Sequence, residues 1–201
     1  MAKAVIFDYG VGNLLSLKIA LEKAGLEAAI GTSAKELAKA DAIALPGVGA
    51  FTAAAMELGS VKETLRGKVE DGTPLIGICL GLQLFFDKSE EGPGKGLALF
   101  KGKTVQLPRT VKVPHMGWNT LNIVKQNELF DGVAEGSYVY FVHSLYPMPA
   151  DKNIVVTQTE YGTTFTSAIA SKNVYGTQFH PEKSGDIGLK ILKNFAKTVV
   201  R

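Results

Sequence analysis

Three short apolar runs, at residues 4–7, 42–45 and 74–78, constrain the fold of this chain more than any other feature. Each is continuously apolar and too short for a helix, the pattern of a strand buried on both faces. Between them lie helical patterns. After the turn Asp8-Tyr9-Gly10-Val11-Gly12-Asn13, Asn13 is placed to cap a helix whose Leu14, Leu17, Leu21 and Ala24 share one face and which Gly25 ends. Ser33-Ala34-Lys35-Glu36 and Ser60-Val61-Lys62-Glu63 each read as a capping box opening a further helix. Buried strands alternating with helices predict right-handed βαβ units, hence an α/β fold with a parallel sheet covered on both faces.

From about Leu97 the rhythm changes to strands and turns, at residues 104–107, 121–124, 138–142, 154–159, 164–170 and 174–178. Several alternate polar with apolar residues, so mixed or antiparallel additions to the sheet are expected. A last helix buries Ile191, Leu192, Phe195 and Val199 and leaves Lys190, Lys193 and Lys197 in water. No linker-like run divides the 201 residues, and 46% hydrophobic content suits one domain over residues 1–201 with a single core. The lone cysteine excludes an internal disulfide and fits a cytoplasmic enzyme. Neither a signal peptide nor an apolar run long enough for a bilayer is present, so no membrane role is expected.

The net charge of +3 is unevenly spread, with no acidic residue between Glu91 and Glu128 and six Lys or Arg in that interval. Such a run is a solvated basic face or a surface for an acidic protein. Nucleic acid is not expected, because no aromatic-interleaved or zinc pattern accompanies it. The three histidines form no metal-ligand spacing, so neither a metal nor another cofactor is expected. Gly10-Val11-Gly12-Asn13 lacks the last glycine of a dinucleotide fingerprint.

The chemistry centres on Gly77-Ile78-Cys79-Leu80-Gly81-Leu82-Gln83, where the apolar run of residues 74–78 gives way to a helical apolar face carried by Leu80, Leu82, Leu84, Phe85 and Phe86. Cys79 is thus at a strand-to-helix elbow flanked by glycines, which exposes a nucleophile above a helix N-terminus that favours thiolate. An inert buried cysteine is the competing reading. The second stretch is Gln178-Phe179-His180-Pro181-Glu182. In an extended segment His180 and Glu182 point the same way, with Pro181 keeping the chain out of a helix between them. If that side faces Cys79, His180 is a base for the thiol and Glu182 fixes its tautomer, a Cys-His-acid arrangement for acyl transfer. An anionic tetrahedral intermediate also needs donors. The amide of Leu80 offers one, and Pro46-Gly47-Val48-Gly49 at the end of a neighbouring strand offers Val48 as another, switchable by a flip of the Gly47–Val48 peptide.

Gly77-x-Cys79-x-Gly81-x-Gln83 with Phe179-His180-Pro181-Glu182 resembles the class I, triad-type glutamine amidotransferase family, over nearly the whole chain. The resemblance implies that family's single-domain, flavodoxin-like three-layer sandwich, mostly parallel with antiparallel additions. It implies that Cys79 attacks the side-chain amide of L-glutamine, that ammonia leaves with a proton from His180, and that water hydrolyses the γ-glutamyl thioester. By motif position Gly49, Gln83, Glu91, His143 and Ser144 would meet the glutamine, although a loop carboxylate such as Glu91 is more often merely solvated.

Within that family Pro46-Gly47-Val48-Gly49 and Pro114-His115-Met116-Gly117-Trp118-Asn119 most resemble the glutaminase subunits of imidazole glycerol phosphate synthases. This branch implies a heterodimer with a cyclase subunit that receives the ammonia. Asn13, Met116, Trp118, Asn119, Tyr140 and Lys183 would face that partner; for Trp118 core packing is the alternative. Two other functions share part of this pattern: a glutaminase serving another synthase, such as the one making pyridoxal phosphate, and a non-catalytic interaction module on the same fold.

Overall fold

The computed structural model describes residues 1–10 and 12–200; Val11, within the turn expected from the sequence, lies outside them. The expected βα alternation is present, with strands β1 (Lys3–Phe7), β2 (Glu27–Gly31), β3 (Ala42–Leu45) and β4 (Leu75–Ile78). Helices α1 (Leu14–Lys23), α2 (Ala34–Ala38), α3 (Phe51–Gly59) and α4 (Lys62–Glu70) separate them. Asn13 caps α1 by accepting from the Ser16 amide at 3.2 Å. Ser33 and Glu36 form a complete capping box on α2. The strand β2 and the helix α3 carry no pattern strong enough to be read in advance: Glu27 and Ile30 are exposed on an edge strand, and α3 begins at Phe51 with no side-chain cap.

After β4 comes α5, a single turn over Leu80–Gln83, followed by β5 (Phe86–Ser89), β6 (Phe100–Gln106), β7 (His115–Thr120), β8 (Asn122–Ile123), β9 (Tyr138–His143) and β10 (Leu145–Pro149). The chain ends with β11 (Val155–Glu160), β12 (Thr164–Ser171), β13 (Val174–Thr177) and α6 (Gly185–Val199). The main sheet runs β2-β1-β3-β4-β13-β12-β11-β8. It is parallel from β2 through β13 and antiparallel beyond. One face packs on α1 and α6 through Leu17, Leu21, Ile191, Leu192 and Phe195, the other on α2, α3 and α4 through Leu37, Phe51, Leu58 and Leu65. This is the three-layer sandwich of an α/β fold.

Four expectations need correction. The helix after Cys79 stops at Gln83, and Phe86 opens a strand: Leu80, Leu82, Leu84, Phe85 and Phe86 are all buried, so a short run apolar on every side was misread as a helical face. Ser60 does not cap α4; it follows α3, and its hydroxyl donates back to the Glu57 carbonyl at 3.0 Å. Not all later strands extend the main sheet, since β10-β6-β5 and β7-β9 form small sheets of their own. Finally, Pro181 opens a 3-10 turn over Pro181–Lys183 instead of holding the chain extended. Its fixed φ suits the first helical position, and that turn brings Glu182 round to His180.

The topology decides where the site forms. Strand β13, from near the end of the chain, inserts beside β4 with Thr177 opposite Ile78. The Cys79 amide donates to the Thr177 carbonyl at 2.7 Å, so both chains leave the sheet at the same level. On the other side of β4, Gly81 lies so close to β3 that a Cβ there would sit 2.1 Å from the Leu45 carbonyl oxygen. Backbone, unlike a flexible side chain, cannot yield. Gly81→Ala is therefore expected to cost about 3 kcal/mol. Urea unfolding of the variant measures this, and an unchanged midpoint would contradict the close approach.

Candidate active site

Cys79 has φ +50°, left-handed backbone that costs a non-glycine residue about 1–3 kcal/mol. The strain sits in the cysteine itself, while Gly77 and Gly81 serve close packing. Gly47 completes the clamp: a Cβ on it would meet the Ile78 carbonyl oxygen at 1.9 Å and the Cys79 Cβ at 2.8 Å. The Pro46-Gly47-Val48-Gly49 turn thus lies directly against the elbow. Tyr9 and Gly12 support it, the Tyr9 hydroxyl donating to the Pro46 carbonyl and Gly12 lying against the Pro46 ring. With α5 only one turn long, little dipole stands beneath the sulfur, and the expected help from a helix N-terminus is small.

The stabilising groups come from elsewhere. His180 Nδ1 lies 2.7 Å from Glu182 Oε1, both side chains being nearly fully buried. Burial alone would discharge this imidazole. The Cys79 side chain and then Glu182 act against that, and the net effect raises His180 to about 10. Its Nε2 is buried and has no hydrogen bond of normal geometry, although the sulfur is near enough to act on the ring. The His180 backbone is pinned to β9: its amide donates to the Tyr140 carbonyl at 2.9 Å, and its carbonyl accepts from Ser184 Oγ at 2.6 Å. On another side of the sulfur, Gln178 Nε2 donates to Cys79 Sγ at 3.3 Å. Sequence reasoning missed Gln178. The alternation that joined His180 to Glu182 also joins His180 to Gln178, two residues earlier.

A cleft of about 270 Å³ opens over the sulfur. Gly47, Val48, Gly49, Cys79 and Leu80 form one wall, and Gln83, Glu91, Val142, His143 and Ser144 form the others. His180 and Glu182 are not among the residues that line the cleft.

The class-I glutamine amidotransferase family model matches residues 5–199. This chain belongs to that family. It is 49% identical over 195 residues to the imidazole glycerol phosphate synthase subunit HisH of Methanothermobacter thermautotrophicus, covering 96% of this chain and 98% of the relative. The subunit of the same name from Aquifex aeolicus is 46% identical over 199 residues, covering 97% and 96%. Among solved structures, PurLQS from Thermotoga maritima superposes with a TM-score of 0.77 at 20% identity over 99% of this chain and 97% of that one, a likeness of fold.

In this amidotransferase the remaining candidate residues fall into two groups. At the cleft, Gln83 is tied inward, its Nε2 donating to the Leu145 carbonyl at 3.1 Å and to Gln178 Oε1 at 3.3 Å. Glu91 accepts from the Phe51 amide at 2.5 Å and so holds the start of α3 while lining the cleft. His143 is buried, with Nδ1 2.8 Å from the Leu145 carbonyl. Behind it, unforeseen, stands His115, whose Nδ1 is 3.0 Å from His143 Nε2 and whose ring stacks on Tyr161 and Phe141. Burial lowers His115 to about 4. Burial also takes His143 down to about 3, against the opposing pull of the Leu145 carbonyl.

The second group lies on the outer face of the β7-β9 ribbon. Met116 is 63% exposed and Trp118 56%, which excludes core packing for the tryptophan. The Trp118 ring meets Tyr140 edge-on at 5.9 Å, and Lys183 Nζ lies 6.0 Å from the Tyr140 ring centre. Asn119 is on the other face of β7, its Nδ2 2.9 Å from the Glu160 carbonyl and 3.3 Å from His115 Nε2. Asn13 is exposed at the start of α1. Among the described residues no His, Cys, Asp and Glu cluster suited to a metal occurs, and no helix is long and apolar enough to cross a membrane.

These shifts have opposite signs for stability. The raised His180 adds stability that is full below its ordinary 6.5 and is lost as pH climbs through about 10. The lowered His115 adds stability that is full above 6.5 and is lost as pH falls through about 4. Proton-detected nitrogen NMR of the three histidines at pH 7 is expected to show His180 doubly protonated and His115 and His143 neutral. A neutral His180 at that pH would contradict the site electrostatics.

Proposed function

We propose that this chain is the glutaminase subunit of an imidazole glycerol phosphate synthase, one amidotransferase domain over residues 1–201. It hydrolyses L-glutamine to L-glutamate and ammonia in the cytoplasm. The ammonia passes to a cyclase subunit that makes imidazole glycerol phosphate and AICAR in histidine biosynthesis. The single observation that carries this reading is that Cys79, with Val48 and Leu80, lines one cleft while the buried His180–Glu182 pair lies close enough for the Cys79 side chain to act on the imidazole. The relatives bearing that subunit's name, matched over nearly their full length, select the synthase.

In the proposed chemistry the Cys79 sulfur attacks the glutamine side-chain carbonyl carbon. Leu80, the first residue of α5, has an amide with no intrahelical acceptor, and this N–H with that of Val48 receives the developing oxyanion. His180 holds its proton across the physiological range and gives it to the departing nitrogen. It then takes a proton from the water that opens the thioester. Glu182 keeps Nδ1 protonated, so Nε2 is the nitrogen that exchanges protons with substrate.

Ammonia released into neutral water would be protonated and lose its nucleophilic lone pair, so transfer needs a dry passage and hydrolysis must wait for the partner. The outer face of β7 and β9 suits that partner, since Met116, Trp118 and Tyr138 make an apolar surface with Lys183 beside it. The Tyr140 backbone holds the His180 amide, which puts this surface one hydrogen bond from the triad. Gly47 lies outside the left-handed region here and Gly49 is at φ +126°. As a glycine, Gly47 is free to enter that region when the Gly47–Val48 peptide turns, and partner binding biases the turn.

Glutamine turnover, measured on the isolated chain and again with the cyclase and its ribonucleotide ligand, tests this function. The chain alone should be slow, and the partner with ligand should raise the rate by about two orders of magnitude or more. Cys79→Ala should abolish turnover yet keep partner binding. Full activity without a partner would contradict the peptide switch, and turnover by Cys79→Ala would end the nucleophile assignment.

A further inference from the structure

The Cys79 sulfur is poorly served by its nearest backbone. The Val142 carbonyl oxygen lies 3.7 Å from it, an acceptor that suits a thiol and repels a thiolate. The one-turn helix α5 offers little dipole in compensation. Gln178 is fully buried, and its Nε2 is 3.3 Å from the sulfur. An amide end can be built either way round, so its neighbours must decide which atom faces Cys79.

They decide it from a single carbonyl. The oxygen of Leu145 can only accept, and two side chains reach it, Gln83 Nε2 at 3.1 Å and His143 Nδ1 at 2.8 Å. That contact fixes Gln83 with its nitrogen inward. The second hydrogen of this nitrogen points at the Gln178 amide 3.3 Å away, so the atom it meets is Oε1. The Gln178 nitrogen must then face the sulfur. The same logic runs the other way. His143, protonated on Nδ1 and neutral, has a bare Nε2 that accepts from His115 Nδ1 at 3.0 Å. The His115 Nε2 is left to accept from Asn119 at 3.3 Å. The Leu145 oxygen therefore sets the direction of the hydrogen bonds from His115 to the nucleophile, and the Glu160 carbonyl, which accepts from Asn119 Nδ2 at 2.9 Å, fixes the Asn119 end in the same sense.

We propose that Gln178 is a further catalytic residue, whose side-chain N–H, oriented through Gln83 by the Leu145 carbonyl, stabilises the Cys79 thiolate against the Val142 oxygen. The proposal rests on Cys79 being the nucleophile. Hydrogen bonds to charged groups are about twice as strong as neutral ones, so the donation strengthens as the thiol ionises. The titratable groups near the sulfur are otherwise Tyr9, His143, His180 with Glu182, and Glu91 at the cleft. Replacing Gln178 leaves all of them in place.

The test compares wild type, Gln178→Met and Gln178→Glu as full chains with the cyclase partner. It reads glutamine turnover and the pH profile of Cys79 alkylation by iodoacetamide. Turnover should fall about 10- to 100-fold in Gln178→Met, and the midpoint of the alkylation profile should rise by about one pH unit. Gln178→Glu, which places an acceptor and a charge at the sulfur, should shift the midpoint further. A folded Gln178→Met with the wild-type profile and rate overturns the proposal. Where the variants fail to fold, NMR of wild type substitutes: the Gln178 side-chain amide protons should shift as Cys79 ionises or is alkylated, and no response overturns the proposal. Wild-type turnover that survives complete alkylation of Cys79 would instead remove the nucleophile on which it rests.

Discussion

Everything at the site depends on one strained residue. Cys79 holds a left-handed backbone that its side chain disfavours, and it does so because the chain around it has no room for another path. Its amide is fixed to β13, Gly47 presses on the Ile78 carbonyl before it, and Gly81 lies against Leu45 after it. Release of the strain would require parting three adjacent strands of the sheet. The cost is met by the buried runs of β3, β4 and β13, which explains why so short an elbow can hold a side chain between a cleft and a buried histidine.

The polar groups near the sulfur are arranged to avoid conflict. His180 and Glu182 do not line the cleft and are dry enough for the pair to interact strongly. His115 and His143, equally buried, are kept neutral by the same loss of water, because no carboxylate reaches them and their bonds go to a carbonyl, an amide and each other. Burial works against charge on all three imidazoles, and only at His180 do the Cys79 side chain and Glu182 outweigh it. The difference lies in what the rings touch.

Much of this was legible in the sequence. The runs at residues 4–7, 42–45 and 74–78 could only be buried strands, and the capping pattern at Ser33 could only open a helix. The elbow and the Phe179-His180-Pro181-Glu182 run named the reacting groups because glycine and proline restrict backbone in ways a single chain displays. What stayed hidden was tertiary. Phe86 falls in a run apolar on all sides, which carries no period to separate strand from helix, and Ser60 ends one helix rather than starting the next. The β7-β9 ribbon separates from the main sheet for reasons of pairing that no local pattern carries. Asn119 shares a motif with Met116 and Trp118, yet strand alternation turns it to the opposite face. Gln178 was within reach of the period-two argument.

The central claim is that the Cys79 sulfur, held by this strained turn close to the buried His180, forms a covalent bond to the glutamyl group. Mass spectrometry of acid-quenched protein, mixed with glutamine and the cyclase partner and digested, tests it most directly. The account predicts a γ-glutamyl adduct on the peptide containing Cys79 that forms and decays during turnover. Glutamate production at full rate with no adduct on that peptide at any quench time would contradict it.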